Sequence, residues 1–216
     1  MVRKLKNIVW KLLNILNLGG SVQLMLLSYL KENGWFKSFK TKRSIDMNGN
    51  PIPWNTYPYI NFIEERLRMD MNIFEYGGGN STLWYAQRVK SIKSVENDKG
   101  WFEIISKKLP SNASMVYKNL EYNGEYSKEV LNGGTKYHII IVDGRDRVNS
   151  VKHSLNKLTD DGVIVFDNSD LIDYKEAITL LKNNGFKKLD FIGMSPITAH
   201  KNSTSIFYRQ KNCLEI

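Results

Sequence analysis

Apolar and polar positions alternate along the chain in two registers. Leu5, Ile8, Val9, Leu12, Leu13 and Leu16 recur at helical spacing with basic residues on the other face, and a second apolar helix is expected over residues 22–30 after Gly19-Gly20. From Trp35 to Ile63 the chain carries Asn48-Gly49 and three prolines, which predict a loop between helices. After it come short apolar runs separated by helical stretches. Residues 73–76, 92–96, 114–117, 138–143 and 162–167 read as strands. Helices are expected over 81–89, 98–108, near Tyr126, over 148–158 and over 171–183, with Ser81 as the first one's cap and Asn184-Gly185 as the last one's stop. Five strand–helix units predict an α/β protein with a doubly wound, mostly parallel sheet. Residues 186–193 and 203–209 are two further strands joined by a loop containing Pro196, too short for a crossover helix, and should pair antiparallel. The domains expected are a helical and loop appendage over 1–58 and the α/β domain over 59–216.

Composition narrows the class. With 216 residues, 42% hydrophobic and 12% aromatic, the chain can bury one sizeable core and is neither disordered nor fibrous. A single cysteine, Cys213, excludes an internal disulfide and favours a reducing, cytoplasmic setting. The formal charge of +9 favours an acidic partner, although no nucleic-acid-binding motif accompanies it and none is expected. Residues 12–30 hold no charge, but Asn14, Asn17, Gln23 and Ser28 interrupt them, which argues against a spanning helix. The N-terminal helices should instead cover the main domain, make a homodimer contact, or dock peripherally on the inner face of a membrane.

Candidate chemistry gathers at strand ends, where α/β sheets bind ligands. Glu75-Tyr76-Gly77-Gly78-Gly79-Asn80-Ser81 places glycines where a ligand can approach the backbone at the head of a helix, and Glu96 ends the next strand with a carboxylate suited to a ribose diol. Together they predict a nucleoside-containing cofactor. The dinucleotide fingerprint is imperfect, since Thr82 holds the third glycine's place. Asp143 ends the fourth strand and Asp167-Asn168 the fifth. Such oxygen ligands suit Mg²⁺ or Mn²⁺ but serve equally as hydrogen-bond anchors. Arg145 and Arg147 flank Asp146, and their guanidinium groups would suit an anionic acceptor. Trp54 and Tyr57, in the proline-stiffened loop, are candidates for a substrate wall.

The order acid, variable residue, Gly-x-Gly in Glu75-Tyr76-Gly77-Gly78-Gly79, followed by Glu96, resembles the class I S-adenosylmethionine-dependent methyltransferases over residues 73–209. The resemblance implies a seven-stranded Rossmann-like sheet with an antiparallel C-terminal strand. It also implies a cofactor site of Glu75, Gly77, Gly78, Gly79, Ser81, Glu96 and Asp143. Asp143, Asp167 and Asn168 look like the metal ligands of the catechol-type and sugar O-methyltransferases, which would make a sugar or surface-polysaccharide precursor the acceptor. Those enzymes have a lysine three residues beyond the first metal aspartate, where this chain has Asp146, so the expected base is Asp143 or Asp146, with His153 secondary. The rivals are an NAD-dependent oxidoreductase or epimerase, which lacks a Tyr-x-x-x-Lys pair after the fourth or fifth strand, and a non-catalytic membrane-associated scaffold.

Overall fold

Period-two runs of Ile, Val and Phe set the architecture, because each buries side chains on both faces of a sheet. In β4 (Tyr137–Val142) Ile139 and Ile141 enter one core layer while Ile140 and Val142 enter the other. The computed structural model describes residues 2–216. Around β4 stand β1 (Asn72–Tyr76), β2 (Ser91–Glu96), β3 (Ala113–Tyr117), β5 (Leu158–Asp167), β6 (Lys187–Gly193) and β7 (Asn202–Tyr208). Their order across the sheet is 3-2-1-4-5-7-6, with β7 antiparallel to both β5 and β6. The helix-free ending read from the sequence is this hairpin.

Ten α-helices occur among the described residues: α1 (Val2–Ile15), α2 (Gly19–Leu26), α3 (Tyr29–Glu32), α4 (Trp35–Thr41), α5 (Tyr57–Glu64), α6 (Asn80–Ala86), α7 (Lys99–Ser106), α8 (Glu125–Lys128), α9 (Arg147–Ser154) and α10 (Lys175–Asn183). One core layer packs Tyr59, Ile60 and Ile63 of α5 and Trp84 and Tyr85 of α6 against the sheet. The other packs Tyr126 of α8, Val151 of α9, and Ala177 and Leu181 of α10 against the opposite face. Residues 28–58 are tied to the sheet as well: Tyr29 Oη accepts from Asn61 Nδ2 at 2.8 Å, Trp35 Nε1 donates to the Thr198 carbonyl at 2.8 Å, and Ile52 joins the core. Helix α1, by contrast, buries no residue. No helix among the described residues is long and apolar enough to cross a membrane.

Three local readings need correction. The segment after Gly34 forms α4 rather than loop, because Trp35 and Phe39, one turn apart, stack at 5.0 Å; the irregular stretch begins only where Lys42 turns left-handed at φ 55. Ser81 does not cap α6: Gly79 takes the cap position, and the Thr82 hydroxyl accepts from its N–H at 2.9 Å. The helix expected from residue 171 starts at Lys175, preceded by a 3₁₀ turn over Ile172–Tyr174.

The strands β1 and β4 are neighbours, and the loops that leave them touch. Gly77 adopts φ 85, and a Cβ placed there would lie 2.7 Å from Gly144 Cα; one placed at Gly144 would overlap Tyr126 Oη and lie 2.8 Å from Gly77 N. Neither position has room for a methyl group, so the two backbones form one surface at the sheet's switch point. Gly144→Ala should therefore lower stability by about 1–3 kcal/mol through overpacking. Urea unfolding checks this, and an unchanged midpoint would show that the two loops part freely.

Candidate active site

Strand β1 delivers the glycine loop, and what lies under the loop holds it in place. Glu75 is fully buried; its Oε2 accepts hydrogen bonds from the Thr82 hydroxyl and, at 2.8 Å, from Ser94 Oγ, while Oε1 is buried with no partner. Thr82 in turn accepts from Gly79 N. Glu75 thus braces the loop from below and does not reach the pocket, which corrects its expected direct cofactor contact. Above the loop lies a cavity of about 640 Å³, lined by Gly77, Gly78, Gly79, Ser81, Glu96 and Asp143 among others. Glu96 is aimed by its own chain: Oε1 accepts from Asn97 N and Asp98 N, each at 2.7 Å, leaving Oε2 without a hydrogen bond among the described residues. Burial raises its pKa.

The fourth and fifth strands supply the opposite wall. Asp143 follows Val142 directly, Asp167 pairs with Thr204, and Thr204 Oγ1 donates to Asp167 Oδ1 at 2.5 Å. Asn55 Nδ2 reaches Asp143 Oδ2 at 3.4 Å. Burial, and for Asp143 the neighbouring Asp167 charge, push both carboxyl groups above the ordinary range. The β6–β7 loop closes the far side with Ser195, Thr198, His200 and Asn202, and with Ile197, a β-branched residue held at φ 73. Lys42, Arg43 and Arg145 line the cavity with half-exposed Trp54.

By sequence the chain matches no protein-family model and no curated protein. Solved structures do match it. The precorrin-6y C5,15-methyltransferase of Geobacter metallireducens superposes with TM-score 0.57 at 14% identity, over 71% of this chain and 86% of that one. A methyltransferase-like protein of Silicibacter pomeroyi gives 0.53 at 18%, over 74% and 90%. A Streptococcus mutans protein in complex with S-adenosylhomocysteine gives 0.50 at 11%, over 68% and 94%. The fold is the Rossmann-like methyltransferase fold. At these identities the likeness concerns the fold alone.

On this methyltransferase fold, several expected site residues stand elsewhere. Tyr57 is buried against Tyr29, ring centroids 6.1 Å apart, and faces a second cavity of about 360 Å³ beside Glu64 and Asn61. Asp146 turns away from the cavity at φ 47; its oxygens accept from Asn149 Nδ2 at 2.7 Å and Asn123 N at 2.8 Å. It serves to pin the loop and is not placed to act as the base. His153 bonds Asn123 Oδ1 at 2.8 Å on the exposed side of α9. Trp101 is a pocket residue that sequence reasoning missed: its indole N–H donates to the Gly78 carbonyl at 3.0 Å. The available signal was its place three residues after the Asp98 cap, which turns it toward the glycine loop.

Arg147 decides how Asp143, Asp167 and Asn168 are used. Its guanidinium is buried among them: Nη2 donates to Asp143 Oδ1 at 3.2 Å and to the Asp143 carbonyl at 2.9 Å, Nη1 to Asn168 Oδ1 at 3.2 Å and to the Asp167 carbonyl, and Nε to the Gly144 carbonyl at 2.9 Å. The oxygens expected to ligate a divalent ion already surround a fixed cation. As arranged they do not fit Mg²⁺ or Mn²⁺, which need that space and those lone pairs. Nor is there a group of three or more His, Cys, Asp or Glu side chains placed for a metal among the described residues. For the same reason Arg147 is a wall of the cavity rather than a free anchor for an acceptor, while exposed Arg145 remains available at the mouth.

Burial pushes the Glu75 carboxyl up to about 7 from an ordinary value near 4.5. Between those values the folded protein keeps a proton that the unfolded chain has lost. Stability is therefore fully present below about pH 4.5 and declines as pH rises toward 7, by on the order of 3 kcal/mol. Glu75→Gln should remove that share of the pH dependence, seen as a smaller stability difference between about pH 5 and about pH 8 in urea unfolding. An identical slope in both proteins would mean that Glu75 ionises as freely when folded as when unfolded.

Proposed function

We propose that this chain is an S-adenosylmethionine-dependent methyltransferase. The observation that carries the reading is Glu96, held by two backbone N–H groups at the end of β2 with one oxygen left over, facing the same cavity as the glycine loop. A carboxylate so placed accepts hydrogen bonds from a vicinal diol, and the glycines admit the chain next to it. The S-adenosylhomocysteine complex of the Streptococcus mutans neighbour supports the same cofactor here. An NAD-dependent reaction has less support, because no Tyr-x-x-x-Lys pair follows β4 or β5.

When bound, the cofactor supplies a methyl group already activated on a sulfonium, so the protein's task is alignment and removal of a proton. Glu96 would hold the ribose, and the Gly77–Gly79 backbone and Trp101 would fix the cofactor's course along the loop. Asp143, in the cavity and raised by burial and by Asp167, is the carboxylate placed to take the acceptor's proton. Arg147 keeps that carboxylate oriented, and its charge offsets the two acids once the proton moves on. We further propose a hydroxyl of a sugar or surface-polysaccharide precursor as the acceptor. Ser195, Thr198, Asn202 and Asn168 offer short donors and acceptors around the cavity, and the half-exposed Trp54 ring offers an apolar face of the kind sugar rings pack against. Lys42, Arg43 and Arg145 at the same cavity suit an acceptor carrying a phosphate.

Glu96→Ala should weaken S-adenosylhomocysteine binding by about 1.5–3 kcal/mol, read by calorimetry, while NAD gives no binding heat with either protein. Unchanged affinity in the variant would sink the assignment. Because Arg147 fills the acid cluster, EDTA should leave both that affinity and the methyl-transfer rate within about twofold. Mn²⁺ should likewise show no protein-bound population by electron paramagnetic resonance. Mn²⁺ binding that Asp167→Asn abolishes would return the cluster to a metal role.

A further inference from the structure

We propose that α1 is an in-plane anchor that docks the protein on an anionic lipid surface, through a helix face that nothing in the fold covers. Over Val2–Ile15, Leu5, Ile8, Val9 and Leu12 project to one side and are 47–62% exposed, and Leu16 continues the stripe just past the helix at 64%. At 100° per residue these five fall within an arc of about 100°, with Val2, Leu13 and Ile15 at its borders. Arg3 lies on the opposite side, while Lys4 and Lys11 flank the stripe along one edge and Lys6 along the other. No acidic residue occurs before Glu32, so the four positive charges of α1 have no counter-charge within that stretch. Beyond the turn, Leu24, Met25, Leu26 and Leu27 of α2 and its end are also exposed.

These features choose the occupant. A second copy of the same helix would add four more cations and no carboxylate to pair with any of them. The main domain already leaves the face uncovered. An anionic bilayer surface takes both features at once: the apolar stripe enters the acyl boundary and the lysines along its flanks reach lipid phosphates. Helix α1 is too short to span, at 14 residues. The anchor is tied to the pocket, since α3 and α4 follow it, Trp35 bonds the Thr198 carbonyl, and Lys42 and Arg43 beyond α4 line the cavity. Docking would thus hold a basic pocket near the lipid headgroups. The inference does not rest on the proposed methyl transfer.

The test is co-sedimentation of the full chain with phosphatidylcholine vesicles, with and without phosphatidylglycerol. Binding should be at least about tenfold stronger to the phosphatidylglycerol vesicles and should weaken as salt rises. The double variant Leu5→Asp, Leu12→Asp should lose it. Because those residues bury nothing, that variant should keep the wild-type melting temperature and S-adenosylhomocysteine affinity. Equal sedimentation of wild type and double variant would overturn the proposal. So would a wild-type dimer in analytical ultracentrifugation that the double variant dissolves while neither protein binds vesicles.

Discussion

A single buried guanidinium organises the edge of the sheet where the chemistry is placed. Arg147 donates to three backbone carbonyls, those of Asp143, Gly144 and Asp167, and to the side chains of Asp143 and Asn168, so it ties the end of β4 to the end of β5. Two carboxylates at the tips of neighbouring parallel strands would repel each other in a poorly solvated site, and a fixed cation between them is one way to keep both. Its flat face also lies over Tyr174, 5.1 Å from the ring centre, which anchors the start of α10 to the same point. Removing it would leave two acids uncompensated, and the loops after β4 and β5 would lose their shared partner.

The glycine-loop half of the cavity is built on a different economy. Here the constraint is space. Gly77 and Gly144 touch, Gly78 lies where a Cβ would meet Ser94, and Glu75 fills the volume beneath with a carboxyl group that donors on Thr82 and Ser94 reach from one side only. A buried acid with one unpartnered oxygen prefers to be neutral, and its raised pKa expresses that preference. Its position gives an acid at this point of the strand a bracing role beneath the cavity: it fixes the Thr82 hydroxyl, which fixes the Gly79 N–H and hence the path of the loop.

Strand positions, the antiparallel ending and the placing of the glycines and Glu96 at strand ends were legible because each is written in a local run: continuous apolar stretches for strands, glycines after a strand, an acid at a strand's end. The errors share a different cause. Tyr57 and Asp146 have the right chemistry in the right loops, yet which side each faces depends on partners far away in sequence: Tyr29 for one, Asn123 for the other. Arg147 was read as an open anchor for an anion because its five donors are visible in sequence and the carbonyls that consume them are not. Helix α4 escaped because seven residues are too few for periodicity to rise above the neighbouring prolines, and only the Trp35–Phe39 stack and the Thr198 contact show what holds it.

That contact also joins the two kinds of surface the protein carries. The cavity's floor is acidic, from Asp143, Asp167 and Glu96, while Lys42, Arg43 and Arg145 among its lining residues are basic. Acids suit proton removal and a ribose; the bases have no role with a cationic sulfonium and would oppose its charge if they stood beside it. Under the proposed methyl transfer, their use would lie on the acceptor side, with a group that is itself anionic. Two of the three come from the segment that follows α4, so the stretch that supplies these lining cations is continuous with the unpartnered basic helix. An acceptor whose phosphate sits at a lipid headgroup would meet both surfaces with one charge pattern, which gives a physical reason for placing them on one continuous arm.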